Sequence, residues 1–153
     1  MHSKLITTAL GVGYSPVAPG TMGALFATAL WWLASSYLDS FTLRIATAIS
    51  IVVITLISIP AIRRVEKEWG EDPSRVVIDE VVGTWICLLG VPESMHWGYV
   101  LAAFLLFRFL DIVKPLGIRR MEAVRGGWGV MLDDILAGIY GLIILLLISL
   151  MDN

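Results

Sequence analysis

Leu43-Arg-Ile-Ala-Thr-Ala-Ile-Ser-Ile-Val-Val-Ile-Thr-Leu-Ile-Ser-Ile-Pro-Ala-Ile62 carries a single charge, Arg44, at its edge. A helix needs roughly 20 apolar residues to cross a bilayer core about 30 Å thick, and this stretch supplies them. Arg44 sits where a long side chain can snorkel to the interface. Lipid offers the backbone no hydrogen bonds, so a span of this kind is helical. The stretch therefore predicts an all-α integral membrane protein.

Similar runs lie on either side of it. The run 22–38 follows a Gly-, Ser- and Pro-rich loop, 11–21, with Thr21 as its expected N-cap. Further apolar runs cover 76–91, 95–113 and 130–150. The expectation is a bundle of about five hydrophobic helices behind a short N-terminal interfacial segment. With no internal repeat or low-complexity tract, residues 1–153 read as a single membrane-embedded domain. No apolar stretch precedes Gly11, so no cleavable signal is expected and the first span would do the targeting.

Composition agrees. Apolar residues make up 58% of the chain and charged ones 16%, with a mean hydropathy of +0.83, too little polar surface to coat a soluble globule. The formal charge is −2, and the basic residues fall in short loops without interleaved aromatics, which excludes a nucleic-acid platform. Cys87 is the only cysteine, so neither an intrachain disulfide nor a multi-cysteine zinc site is available. Trp31, Trp32, Trp85, Trp97 and Trp128 read as interface belt or packing. Nothing in the pattern specifies an oligomer.

If the five runs alternate across the membrane, Lys4, Arg63, Arg64, Lys67, Arg75, Lys114, Arg119, Arg120 and Arg125 share the side of the N-terminus. That is nine of the eleven basic residues, and the positive-inside rule makes that side cytoplasmic, with the C-terminus outside. The same alternation brings Asp79, Glu80, Asp111, Lys114, Asp133, Asp134 and the 15–23 loop to that face.

A charge well inside a span costs roughly 2.5–3.5 kcal/mol on insertion scales, so five acids at span ends call for a partner. Taken singly, such a pair is an ordinary interfacial charge. Three sets on one face point instead to a divalent cation, because carboxylates are the hard oxygen ligands that magnesium prefers. His2 and His96 fall on opposite faces and offer no competing set. Asp79 and Gly83 are four residues apart, as are Asp134 and Gly138, so each acid shares a stripe with a small residue that permits close helix approach. Helix polarity favours Asp79 and Asp134 as the most direct metal ligands, with Glu80 and Asp133 as a second ligand or as orienters of the attacking water. Arg108, Asp111 and Lys114 step by three along one side of a helix that Pro115 should end. One cation would orient the acid and the other would meet a phosphate. Free backbone donors at the start of the first span, around Thr21, suit an anion, although Gly and Pro there are more commonly turn chemistry.

Four strings carry these residues: Ser15-Pro-Val-Ala-Pro-Gly-Thr-Met-Gly23, Val77-Ile-Asp-Glu-Val-Val-Gly83, Phe107-Arg-Phe-Leu-Asp-Ile-Val-Lys-Pro115 and Gly126-Gly-Trp-Gly-Val-Met-Leu-Asp-Asp-Ile-Leu-Ala-Gly138. In order, and across nearly the whole chain, the sequence resembles the phosphatidylglycerophosphatase A family. The resemblance implies a magnesium-dependent phosphatase of the bacterial inner membrane that converts phosphatidylglycerophosphate to phosphatidylglycerol. It implies Asp79, Glu80, Asp111, Asp133 and Asp134 as catalytic groups, with Asp79, Glu80, Asp133 and Asp134 holding the metal. Thr21, Arg108 and Lys114 are the candidate phosphate contacts, the substrate is a phospholipid, and the surrounding partner is membrane lipid.

Other chemistries fit less well. Cys87 is not followed by a phosphate-binding arginine, and no Asp-x-Asp pair suggests an aspartyl-phosphate enzyme. A CDP-alcohol phosphotransferase would need an Asp-Gly-x-x-Ala-Arg signature, absent here. An ion-binding or transport protein would place its acids near the midplane, whereas these cluster at one end.

Overall fold

A computed structural model describes residues 2–93, 97–124 and 126–151. His96, Arg125 and Asn153 lie outside the described residues. Among those described the chain is helical throughout, without a strand. Its helices are α1 (His2–Thr7), α2 (Pro19–Ser35), α3 (Ser40–Trp69), α4 (Ile78–Leu88), α5 (Trp97–Val113) and α6 (Trp128–Met151). Tight 3-10 segments at Val12–Tyr14 and Ile118–Ala123 link them.

The helix ends follow local chemistry. Pro19 opens α2, where its fixed φ suits the first turn and its missing N–H costs nothing. The N-cap is then Ala18, in a left-handed conformation at φ 43°, and Thr21 lies inside the helix rather than capping it. Asp39 caps α3 by accepting a 3.0 Å hydrogen bond from the Thr42 amide. Pro115 stops α5: Lys114 turns left-handed at φ 50° and its amide closes on the Leu110 carbonyl at 2.8 Å.

The expectation of about five membrane-length helices is corrected. Among the described residues only α3 and α6, 30 and 24 residues long, are long and apolar enough to cross a membrane. The run 76–91 yields α4, just 11 residues or about 16 Å of helix. Its apolar content reflects burial on every side, since apart from Glu80 and Trp85 each residue of α4 is buried. It is the central helix, packed against α2, α3, α5 and α6.

The tightest contact is between α4 and α6. A Cβ at Gly83 would come within 2.7 Å of the Asp134 carbonyl oxygen, and one at Gly138 within 2.5 Å of the Gly83 carbonyl. At Gly141 it would meet the sulfur of buried Cys87 at 2.5 Å. No side chain larger than hydrogen fits this seam. The outer faces are the reverse: Ile49, Val52, Val53 and Leu56 of α3, with Ile143, Leu146, Leu147 and Leu150 of α6, are exposed. In each of these helices only 28% of the most apolar window is buried, unlike the core helix of a soluble domain.

Helices α2 to α6 alternate in direction. At one end Arg44 donates to the Val91 carbonyl at 3.0 Å, joining the start of α3 to the turn after α4. At the other end α1 docks beside the last turns of α3. There Lys4 pairs with Glu68 at 2.5 Å and lies 5.3 Å from the Trp69 ring, while Arg75 faces the rings of Trp69 and Tyr14. The starts of α2, α4 and α6 and the finish of α5 gather at this second end.

Candidate active site

Asp79 and Glu80 lie in the first turn of α4, Asp133 and Asp134 in the second turn of α6, and Arg108 and Asp111 in the last turns of α5. The glycine seam brings the first two pairs together, because it lets the α4 and α6 backbones touch. Packing of α2 on α4 brings the loop 15–23 alongside. At Gly20 a Cβ would overlap the Glu80 carboxylate, and at Gly23 it would stand 2.9 Å from the Val77 Cβ. Glycine at position 20 is what lets Glu80 lie against the opening turn of α2.

Arg108 bridges two of the acids. Its Nη1 donates to Glu80 Oε2 and, at 2.7 Å, to Asp111 Oδ2. Lys114 Nζ donates to Asp133 Oδ2 at 2.6 Å. Carboxylate oxygens of Glu80, Asp111 and Asp134 all lie within 4.8 Å of one another, a spacing that suits a shared cation. Three buried oxygens, Asp79 Oδ1, Asp133 Oδ1 and Asp134 Oδ2, have no hydrogen-bond partner among the described residues. An orphaned buried acceptor costs about 1–3 kcal/mol, and more when charged. The five acids also outnumber Arg108 and Lys114, so the donor set carries an excess of negative charge that a divalent cation would offset. Hard oxygen ligands with orphaned lone pairs fit magnesium chemistry.

The arrangement differs from the sequence-based ligand set in one respect. Asp111 joins Glu80 and Asp134 in the close trio, while Asp79 and Asp133 stand outside it. Thr21, Glu80, Arg108, Lys114 and Asp133 line one cavity of about 250 Å³. It thus gathers the three residues read as phosphate contacts beside two of the acids. Arg119 and Arg120 are exposed on the 3-10 segment after α5.

Asp72 also lines this cavity, and the sequence reading missed it. The Asp72-Pro73 step marks a turn, and counting alternate sides places the α3–α4 loop on the site face. That signal was available, but loop acids without an apolar frame look like solvated charge.

With this geometry in place, the comparisons are specific. Residues 5–149 match the family model described as phosphatidylglycerophosphatase A. The chain belongs to that family. Its four signature strings are the segments that meet at the site: the loop opening α2, the start of α4, the close of α5 and the turn into α6. Among relatives, proteins named phosphatidylglycerophosphatase A in Escherichia coli K12 and Haemophilus influenzae are 36% and 38% identical. The first alignment covers 88% of this chain and 76% of the relative, the second 95% and 87%. A Bacteroides thetaiotaomicron protein, provisionally named a phosphatidylinositol-3-phosphatase, is 54% identical over 92% of this chain and 89% of its own. No solved structure matches. As a member of this family the chain is a phosphatase.

Proposed function

We propose that the protein is a magnesium-dependent lipid phosphatase that hydrolyses the terminal phosphomonoester of phosphatidylglycerophosphate, giving phosphatidylglycerol and inorganic phosphate. The observation that carries the reading is the Glu80, Asp111 and Asp134 trio, with an orphaned Asp134 oxygen, beside a cavity lined by Arg108 and Lys114. A magnesium ion bound there would screen the phosphate and acidify a water. Glu80, Asp111 and Asp134 would hold it. Arg108 keeps Glu80 and Asp111 side by side despite their like charge. Lys114, anchored on Asp133, faces the cavity where it meets a phosphate oxygen. Asp79 and Asp133 each keep a free acceptor with which to orient water for in-line attack on phosphorus, as the bond to the headgroup oxygen breaks.

The apolar outer faces of α3 and α6 support a multi-pass place in the bacterial inner membrane. There α2 and α5, about 26 Å long each, flank the shorter α4. The basic bias supports an active site on the cytoplasmic face. The test is phosphate release from phosphatidylglycerophosphate by the purified chain in detergent. Activity should require magnesium and vanish in excess chelator, and full activity in chelator overturns the reading.

The relative at 54% identity favours a second reading, in which phosphatidylinositol 3-phosphate is the substrate. The site chemistry is the same. Assaying both lipids side by side separates the two.

A further inference from the structure

The turn that carries Lys114 is strained. Pro115 bars Lys114 from the helical conformation, and Lys114 goes left-handed at φ 50°, followed by Leu116 at 52° and Gly117 at 87°. Two of these three residues carry a Cβ, and such a backbone persists only where its surroundings hold it. Leu116 is 82% exposed, so its side chain does not supply the hold. Its carbonyl is gripped instead, by the Tyr140 hydroxyl, which donates to it at 3.1 Å. We infer that Tyr140 is the positioning residue for Lys114: by gripping the Leu116 carbonyl it fixes the turn from which the Lys114 ammonium reaches the phosphate. The inference rests on the lipid phosphatase reading above, in which Lys114 meets a phosphate oxygen.

The geometry of α6 supports this. Asp133 and Tyr140 are seven residues apart on that helix, two turns, and so share one face roughly 10 Å apart along the axis. That face takes the Lys114 ammonium at its Asp133 end, 2.6 Å from Oδ2, and the main chain of Leu116 at its Tyr140 end. The Tyr140 ring packs against the same core cluster that encloses Ile118, which is fully buried and pins the chain just beyond the turn. The hydroxyl is therefore presented from a fixed post. A lysine reaches its target through a flexible four-carbon stem, and capturing a phosphate must order that stem. A turn already held in place adds no backbone ordering to the cost of binding. Lys114 lines the cavity of about 250 Å³ together with Thr21 and Arg108, so the position of its backbone bears on phosphate capture there. It does not bear on the Glu80, Asp111 and Asp134 trio, which α4, α5 and α6 hold among themselves. Loss of the Tyr140 hydroxyl should accordingly weaken binding and spare the chemical step.

The experiment compares the full chain with Tyr140→Phe, which keeps the ring and removes the hydroxyl. On whichever of phosphatidylglycerophosphate and phosphatidylinositol 3-phosphate is turned over, KM should rise about fivefold while kcat stays within about twofold. A hydroxyl that only stabilises the fold would lower the melting temperature and leave KM unchanged, and that result overturns the inference. So does a fall in kcat at constant KM. Lys114→Met removes the ammonium but keeps the stem, and in that background Tyr140→Phe should change KM by less than about twofold, because both act through one contact. Losses that multiply would mean that Tyr140 acts elsewhere. Hydrogen exchange over residues 114–120 should quicken in Tyr140→Phe while the α4–α6 seam stays protected, and an unchanged turn also overturns the inference. Equilibrium dialysis with radiolabelled inorganic phosphate and magnesium needs no turnover, and there Tyr140→Phe should raise Kd about fivefold. If no lipid is turned over, the phosphatase reading fails, and the positioning role then stands or falls on whether Tyr140→Phe weakens this binding.

Discussion

Asp134 shows how one residue serves two ends. Its main-chain carbonyl lies against Gly83 in the α4–α6 seam, while its carboxylate, with a buried and unpartnered Oδ2, comes within 4.8 Å of those of Glu80 and Asp111. The backbone fixes the carboxylate, so a change confined to the side chain should leave the fold intact. Asp134→Asn is expected to lower kcat at least about a hundredfold at saturating magnesium, because an amide keeps the shape but removes a charged ligand. Its melting temperature should equal or exceed that of the parent, since an uncompensated buried charge is gone. A kcat near the parent's would remove Asp134 from the metal site. Cys87→Ala serves as the control: buried against Ala103 and Gly141, away from the acids, it should retain activity.

Much of the site was legible at this scale. A carboxylate inside an apolar run is costly enough to be conspicuous, and Asp79, Asp111, Asp133 and Asp134 announced themselves that way. Asp72 did not, because it follows Arg63 and Arg64 in a charged segment. Thr21 was misread as a cap because hydroxyl side chains favour that position, whereas Pro19 had already started the helix two residues earlier.

Among the elements, α4 was the hardest to read. Its apolar run continues through Val76 and Val77 before the helix and on to Val91 after it, and these three valines are apolar because they are buried rather than helical. Apolar content reports burial, and length in a run of about 16 residues is decided by what surrounds it. The glycine stripes were legible, since spacing by four fixes a shared face in any helix. Gly83→Ala is expected to destabilise by about 1–3 kcal/mol, because the new methyl would overlap the fully buried Phe107 ring and press to 2.7 Å from the Asp134 carbonyl oxygen. Detergent-resistant unfolding followed by circular dichroism would read the loss, and an unchanged transition would mean the seam is looser than its geometry.

At the start of α3, the Thr42 hydroxyl and amide donate to Asp39 and hold its carboxyl below the ordinary aspartate range. A lowered folded value means the cap stabilises the helix above that range and loses its effect as pH falls through it. Asn caps without titrating. The melting temperature of the parent relative to Asp39→Asn should therefore fall between neutral pH and pH ~3, and a constant difference would show that the cap does not couple to folding.

For the whole molecule, alternating helix directions place the basic loops, the acids and the α1–Trp69 collar at one end. That predicts a periplasmic readout from a reporter fused after Asn153. A cytoplasmic readout would mean that one short helix, α2, α4 or α5, turns back within the bilayer. The architecture was legible in outline from hydropathy alone, because lipid constrains spans so strongly. How many helices touch lipid was not, because a helix enclosed by others and one facing acyl chains share the same composition.

The exposed skin and the interior seam draw on separate residues. Ile49, Val52, Val53 and Leu56 on α3, and Leu146, Leu147 and Leu150 on α6, touch neither the glycines that lock α4 to α6 nor the carboxylates that those glycines align. Solubility and catalysis are therefore written in different letters of this sequence. Replacing those outer residues with glutamate and lysine should therefore leave the geometry of the site in place.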